Sequence, residues 1–285
     1  MVSDAVIEVS SLAKFFPGSG PVPLRVLDGV NLHVQAGETL VIMGGSGCGK
    51  STLLNCMIGE YIPDEGHIKI FGKDITAMGE FELNEVRKKF GILFQSGALF
   101  NSMTVGENVA LPLLEHSDVD PSVIDIVVTI KLEQVKMLAH RHKMPSQLSG
   151  GQKKRAGLAR AIALDPRILF YDEPSAGLDP VTVAAIDDLI ISLSKKLGVT
   201  SVVVTHDMPS AFRIADRMVM LHAGRVLRIG PRREFEILRD TPVEQLANAE
   251  DQLIRQFLLG EGKGPLTDSE GLSEYEKMLK GMSTV

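Results

Sequence analysis

The stretch TLVIMGGSGCGKSTLLNCMIG, residues 39–59, limits the folds open to this chain more than any other. Leu40 to Met43 form an apolar run that reads as a buried strand, and Leu53, Leu54, Met57 and Ile58 recur at helical spacing. Between them, Gly44 to Ser51 fit G-x-x-x-x-G-K-[ST], a loop whose backbone N–H groups cradle phosphates. Gly44, Gly47 and Gly49 let those groups turn inward with no Cβ in the way, and the positive end of the following helix adds to the attraction. Lys50 is placed to reach the β- and γ-phosphates of a nucleotide, and the Ser51 hydroxyl to ligate Mg²⁺. The candidate nucleotide-binding stretch is therefore Gly44, Gly45, Ser46, Gly47, Cys48, Gly49, Lys50, Ser51 and Thr52. Cys48 lies in the loop, where a helix N-terminus favours thiolate, so a reactive thiol is expected there.

Such a strand, loop and helix belong to an α/β fold. ILFYD and SVVVTH, like TLVIM, are nearly all apolar, as strands covered on both faces must be. AVIEV, VNLHV and HIKIF alternate polar and apolar residues, as half-exposed antiparallel strands do. From Phe100 to Ser149 helical patterns replace strand patterns. After Asp207 come a short helix, a hairpin across LHAGRVLRIG and a helical tail. The tail bends at GEGKGP and continues with Leu272, Tyr275, Met278 and Leu279 at helical spacing.

The remaining candidate residues sit at predicted strand ends. Asp172 and Glu173 follow ILFY: the first can hold Mg²⁺, and the second can polarise an attacking water. Taken alone, two adjacent carboxylates fit a solvated turn equally well; the glycine loop shifts the balance towards chemistry. SVVVT presents His206, which can contact a γ-phosphate and the attacking water, and FGILF presents Gln95, whose amide can ligate Mg²⁺. Phe15 or Phe16 can stack on adenine, with core packing the plain alternative. A second anion-binding feature is LSGGQKKRAGLARA, where Ser149, Gly150 and Gly151 directly precede a helix with apolar positions at Ala156, Leu158, Ala159 and Ile162.

GGSGCGKST, Gln95, LSGGQ, ILFYDE, SAGLD and His206 occur in the order and spacing of an ABC-transporter ATPase subunit, which the chain resembles to about residue 235. The resemblance implies a P-loop NTPase core with a RecA-like parallel sheet and an N-terminal antiparallel β-subdomain. A helical insertion over about 97–160 completes an ATPase domain, 1–240, and a C-terminal helical extension spans 241–285. It implies ATP and Mg²⁺ as ligands, with Ser51, Gln95 and Asp172 on the metal and Glu173 and His206 catalytic. Phe16 aligns with the adenine-stacking position, usually tyrosine. It also implies a head-to-tail homodimer with ATP at the interface. There Ser149, Gly150, Gly151 and Gln152 of one subunit complete the site of the other, and SAGLD, ending at Asp179, runs along the interface.

FQSGALFNSMTVGENVALPL and IRQFLLGEGKGPL resemble the Mla/Mce group of lipid-transport ATPases. That resemblance implies integral-membrane permease partners, a periplasmic Mce-domain lipid-binding protein, a small regulatory subunit, and a tail that reaches the other ATPase subunit, with docking on its own domain the plain alternative. The net charge of −6 argues against bulk nucleic-acid binding, and no apolar run approaches the ~18 residues of a membrane span. The two cysteines form no disulfide framework, and the acidic N-terminus is unlike a signal peptide. The expected location is cytoplasmic, peripheral on the inner membrane. Competing readings are an ABC ATPase for amino acids, ions or drugs, a non-transport ABC ATPase, and a P-loop kinase. The kinase reading leaves LSGGQ and His206 without a role.

Overall fold

A computed structural model describes residues 5–18 and 23–262, together with Leu266. The tail positions Leu272, Tyr275, Met278 and Leu279 lie outside the described residues. In chain order the strands are β1 (Ala5–Phe16), β2 (Leu24–Gln35), β3 (Thr39–Met43), β4 (Glu65–Ile70), β5 (Lys73–Asp74), β6 (Phe90–Leu93), β7 (Ile168–Asp172), β8 (Thr200–Val204), β9 (Arg217–His222) and β10 (Arg225–Pro231). The helices are α1 (Lys50–Met57), α2 (Glu80–Arg87), α3 (Val105–His116), α4 (Pro121–Gln134), α5 (Gly150–Ala161), α6 (Pro180–Leu197), α7 (Met208–Ile214), α8 (Arg232–Asp240) and α9 (Ala249–Leu259).

Two sheets form, in the positions the hydrophobic patterns imply. The alternating strands make a four-stranded sheet in the order β2-β1-β4-β5, with β1 antiparallel to both β2 and β4. The apolar strands make a six-stranded sheet in the order β10-β9-β3-β8-β7-β6. Within it β9, β3, β8, β7 and β6 run parallel. β9 turns into β10 through Ala223 and Gly224, both at positive φ as a tight hairpin requires. One core joins the sheets: Ile7, Leu12, Val30 and Ile70 meet α1 through Leu53 and Met57. Leu40, Ile42, Phe170, Val202 and Val204 complete it from one face of the parallel sheet. Intervening residues such as Val41, Leu169 and Val203 are also fully buried, so these strands are covered on both faces.

The helical region opens with α3, whose Thr104 and Glu107 form a reciprocal capping box. α4 follows, started by Asp120 and Pro121. α5 begins earlier than its sequence suggests. Gly150 and Gly151 are its first two residues rather than a preceding loop, because Ser149 caps the helix and accepts from the Gln152 N–H. Its expected apolar positions, Ala156, Leu158, Ala159 and Ile162, are all fully buried.

The chain divides into two compact units, Met1–Ile229 and Gly230–Val285. In the second unit α8 groups with α9, and Phe235, Ile254 and Leu258 are buried. α9 ends at Gly260 in the left-handed conformation, at the start of the expected bend.

β6 and α5 approach so closely that an added Cβ on Gly91 would lie 2.0 Å from the carbonyl oxygen of Ala161. Gly91→Ala is expected to destabilise the fold by about 1–3 kcal/mol, the usual cost of overpacking. Urea denaturation checks this, with Gly79→Ala as a control at a position that has open space and, like Gly91, no left-handed backbone.

Candidate functional site

Register brings the candidate residues to one edge of the parallel sheet. Ile42 pairs with Val204, and Asp172 pairs with the same Val204, so the ends of β3, β8 and β7 are level. The glycine loop leaves β3, His206 follows β8, and Asp172 ends β7 with Glu173 directly after it. Gln95 follows β6, whose Leu93 pairs with Tyr171. In open α/β sheets this carboxyl edge is where ligands bind.

The loop is built around close backbone approach. A Cβ on Gly44 would meet the Leu221 carbonyl oxygen at 2.1 Å, and one on Gly49 the Val26 carbonyl oxygen at 2.9 Å; both glycines also have positive φ. Gly49 begins α1 with no side-chain cap, and no acidic residue lies in its first turn. The leading N–H groups of α1 thus lack a capping side chain, which leaves them free for an anion. Lys50 is buried and donates from Nζ to the carbonyls of Gly44 and Gly45, at 2.8 and 3.0 Å. Ser46, Gly47 and Ser51 are exposed, while Gly45 and Thr52 are half-buried.

Cys48 corrects the expectation of a reactive thiolate. It is 7% exposed, and burial raises its thiol above the ordinary value despite the opposing charge of Lys50. Desolvation outweighs the helix terminus here. Cys56 is also buried and pushed up to about 11, again by burial first.

The carboxylates sit in contrasting surroundings. Asp172 has a buried Oδ1 with no hydrogen-bond partner. Burial and then the charge of Glu173 raise its pKa, while Lys154 and Lys50 draw it down. Its orphaned oxygen, with the Ser51 hydroxyl and the exposed Gln95 amide, makes a hard oxygen donor set. Such a set suits Mg²⁺, which binds through one or two carboxylates completed by phosphate and water. Glu173 has φ of 47°, left-handed backbone that costs a glutamate about 1–2 kcal/mol. Its N–H donates to the Val204 carbonyl at 2.9 Å, and its Oε1 lies 2.9 Å from His206 Nδ1. The His206 N–H also donates to Oε2, at 3.3 Å.

Other candidates stand apart from this cluster. Ser149 and Gln152 bond reciprocally, and Gln152 Nε2 lies 3.1 Å from His140 Nε2. Ser149 and Gly150 are exposed, and none of the hydrogen bonds among the described residues ties them to the glycine loop. Gly151 is packed tightly, since a Cβ there would come within 2.5 Å of Thr182 Cγ2. Asp179 caps α6, accepting from Val181 and Thr182, and the Thr182 bonds hold its carboxyl below the ordinary range. Phe16 ends β1, edge-on to Tyr61 with centroids 5.5 Å apart, whereas Phe15 lies under Arg25.

The structure adds two residues that sequence reasoning passed over. Lys154 donates to the Glu173 carbonyl, and Arg160 donates to the carbonyls of Gly97 and Ala98 in the loop after Gln95. Neither carries a motif that singles it out in sequence. A lysine between the buried positions Gly151 and Leu158 was the available signal.

The chain belongs to the ABC transporter family: the family profile matches residues 27–176. It is an ABC ATPase, and the fold is that of the family's P-loop cassettes. It is similar to the intermembrane phospholipid transport system ATP-binding protein MlaF of Haemophilus influenzae, at 41% identity over 89% of this chain and 92% of that protein. It is also 40% identical to the probable ribonucleotide transport ATP-binding protein mkl of Mycobacterium leprae, over 96% of this chain and 74% of that one. Among solved structures, the dimeric ATP-binding cassette MJ0796 in a post-hydrolysis state with ADP and Pi aligns with a TM-score of 0.74. It shares 33% identity and covers 79% of this chain and 98% of that chain.

The raised thiol pKa gives a direct test. At neutral pH, maleimide is expected to label Cys48 more slowly than an ordinary exposed cysteine, with the rate still rising above about pH 8.5, where a free thiol is half ionised. Peptide mass spectrometry against time measures it; rapid neutral labelling would contradict the burial argument.

Proposed function

We propose that this ATPase powers the movement of phospholipid through permease partners at the inner membrane. The observation that carries the substrate is the 41% identity to the phospholipid-transport protein MlaF along nearly the whole length of both chains. Among the described residues no helix is long and apolar enough to cross a membrane, so this chain needs other subunits to move a lipid. A cleft of about 970 Å³, lined by Phe81, Arg87, Phe94, Pro112 and His116 among others, lies beside the Gln95 segment. Phe81 is 81% exposed there, a feature that supports docking of an apolar permease element on the cytoplasmic face. The periplasmic Mce-domain protein and a small regulatory subunit belong to the same proposal, as does a tail, 241–285, that contacts the second ATPase subunit.

The site residues divide the work by their surroundings. The glycine loop and Lys50 hold the β- and γ-phosphates by N–H donors and charge, and Phe16 stacks on the adenine. Ser51, Gln95 and Asp172 would hold Mg²⁺, which would supply neutralisation of the phosphate charge. Glu173 accepts the proton of the attacking water, and His206 orients that carboxylate through Nδ1. Ser149, Gly150, Gly151 and Gln152 bind the γ-phosphate of a nucleotide carried by a second copy, with Asp179 along the interface. The exposure of Ser149 and Gly150, with no hydrogen bond to the loop among the described residues, supports that division, since such a helix start is free to meet another chain. Hydrolysis removes the γ-phosphate contacts, and the population shifts to the open pair.

Glu173→Gln is expected to abolish release of inorganic phosphate while ATP stays bound; normal hydrolysis would remove Glu173 as the base. Ser149→Arg is expected to leave ATP binding to the monomer intact and to abolish hydrolysis, measured by fluorescent-nucleotide titration beside phosphate release. In vesicles containing the ATPase and its permease, ATP-dependent movement of labelled phospholipid is expected. Movement of ribonucleotide instead would favour the reading suggested by the mycobacterial relative's name.

A further inference from the structure

Lys154 is a buried cation with no part in the reaction described above. It is 4% exposed and lies in the second turn of α5, the helix that Ser149 caps. Its Nζ donates to the main-chain carbonyl of Glu173 at 2.9 Å. Desolvation lowers its pKa, while the charges of Glu173 and Asp172 act in the opposite sense and favour the ammonium. Glu173 is the residue with left-handed backbone at the site, so its peptide groups need restraint from both sides. β8 supplies one restraint, through the bond from the Glu173 N–H to Val204. Lys154 supplies the other.

α5 is fixed along its length as well. Arg160 binds the carbonyls of Gly97 and Ala98, and a Cβ on Gly157 would come within 2.8 Å of the Gly97 carbonyl oxygen. These contacts tie the helix to that loop, and one hydrogen bond, from Lys154, ties the helix to the Glu173 carbonyl.

We propose that Lys154 is a positioning residue: it sets the peptide after Glu173, and with it the aim of the carboxylate, so that the placement of α5 governs whether Glu173 can act. This rests on Glu173 being the proton acceptor. It adds a route by which engagement of Ser149 in one site is felt at the carboxylate of the same subunit.

Lys154→Met, Lys154→Gln and Lys154→Arg in the full chain test it, with steady-state hydrolysis, fluorescent-ATP binding and thermal melting on each. Lys154→Met is expected to lower kcat on the order of 10- to 100-fold, as small misplacements of catalytic groups do, with KM and nucleotide Kd nearly unchanged. Lys154→Arg, which keeps a donor and a charge, is expected to recover most of kcat. If Lys154→Met does not fold, the contrast between Lys154→Gln (low kcat) and Lys154→Arg (recovered) carries the test. A neutral variant with wild-type kcat, a rise in KM alone, or an arginine variant no better than the neutral one would overturn the proposal. Glu173→Gln in parallel separates the two readings. An active Glu173→Gln defeats the assignment of the base, whereas an inactive one beside an active Lys154→Met defeats only the role of Lys154.

Discussion

The register of the parallel sheet is the constraint on which the rest of this structure depends. Val204 of β8 is opposite Ile42 on one side and Asp172 on the other. That alignment sets the glycine loop, His206 and the two acidic residues at one level. A slip of one residue in β7 would turn the apolar side chains Phe170 and Tyr171 to opposite faces and take Asp172 out of line. Both faces of these strands are buried, so the slip would expose or strand large side chains on either side. The packing that stabilises the sheet thus also positions the chemistry.

The electrostatics follow from that burial. Lys50 and Lys154 are buried cations, and Asp172 is a carboxylate with an orphaned oxygen between them and Glu173. Burying such groups singly is unfavourable, and grouping opposite charges offsets part of the cost. Burial is the first cause of both the raised pKa of Asp172 and the lowered pKa of Lys154, and the charge of Glu173 adds to the first and opposes the second. A divalent cation is the counter-charge such an arrangement suits. The opposite logic applies at Ser149, which caps an exposed helix start by accepting from the Gln152 N–H while the Gln152 side chain accepts from the Ser149 N–H.

Much of this was legible in the sequence because it rests on local rules. Period-two alternation separated β1, β2 and β4 from the uniformly apolar β3, β7 and β8, and the glycine spacing marked the phosphate loop. The LSGGQ stretch was found, but its helix boundary was not, since two glycines read as loop until the Ser149 cap is seen to hold them. The Cys48 thiolate was misjudged because proximity to a helix terminus is visible in sequence and burial is not. Lys154 and Arg160 escaped notice because their partners are main-chain carbonyls distant along the chain, and sequence patterns do not disclose backbone acceptors. The neighbours of the two aromatic candidates, Tyr61 edge-on to Phe16 and Arg25 over Phe15, are likewise distant in sequence and not visible in its pattern.

The central claim is that each nucleotide site is shared, with the glycine loop from one subunit and the capped start of α5 from another. Mixing two individually inactive proteins, Lys50→Ala and Ser149→Arg, measures this directly. A mixed dimer holds one site with both walls intact, formed by Lys50 of the second protein and Ser149 of the first. The account predicts that phosphate release appears on mixing and depends on the ratio of the two proteins. If the mixture releases no more phosphate than the two proteins do separately, the site is not shared in this way.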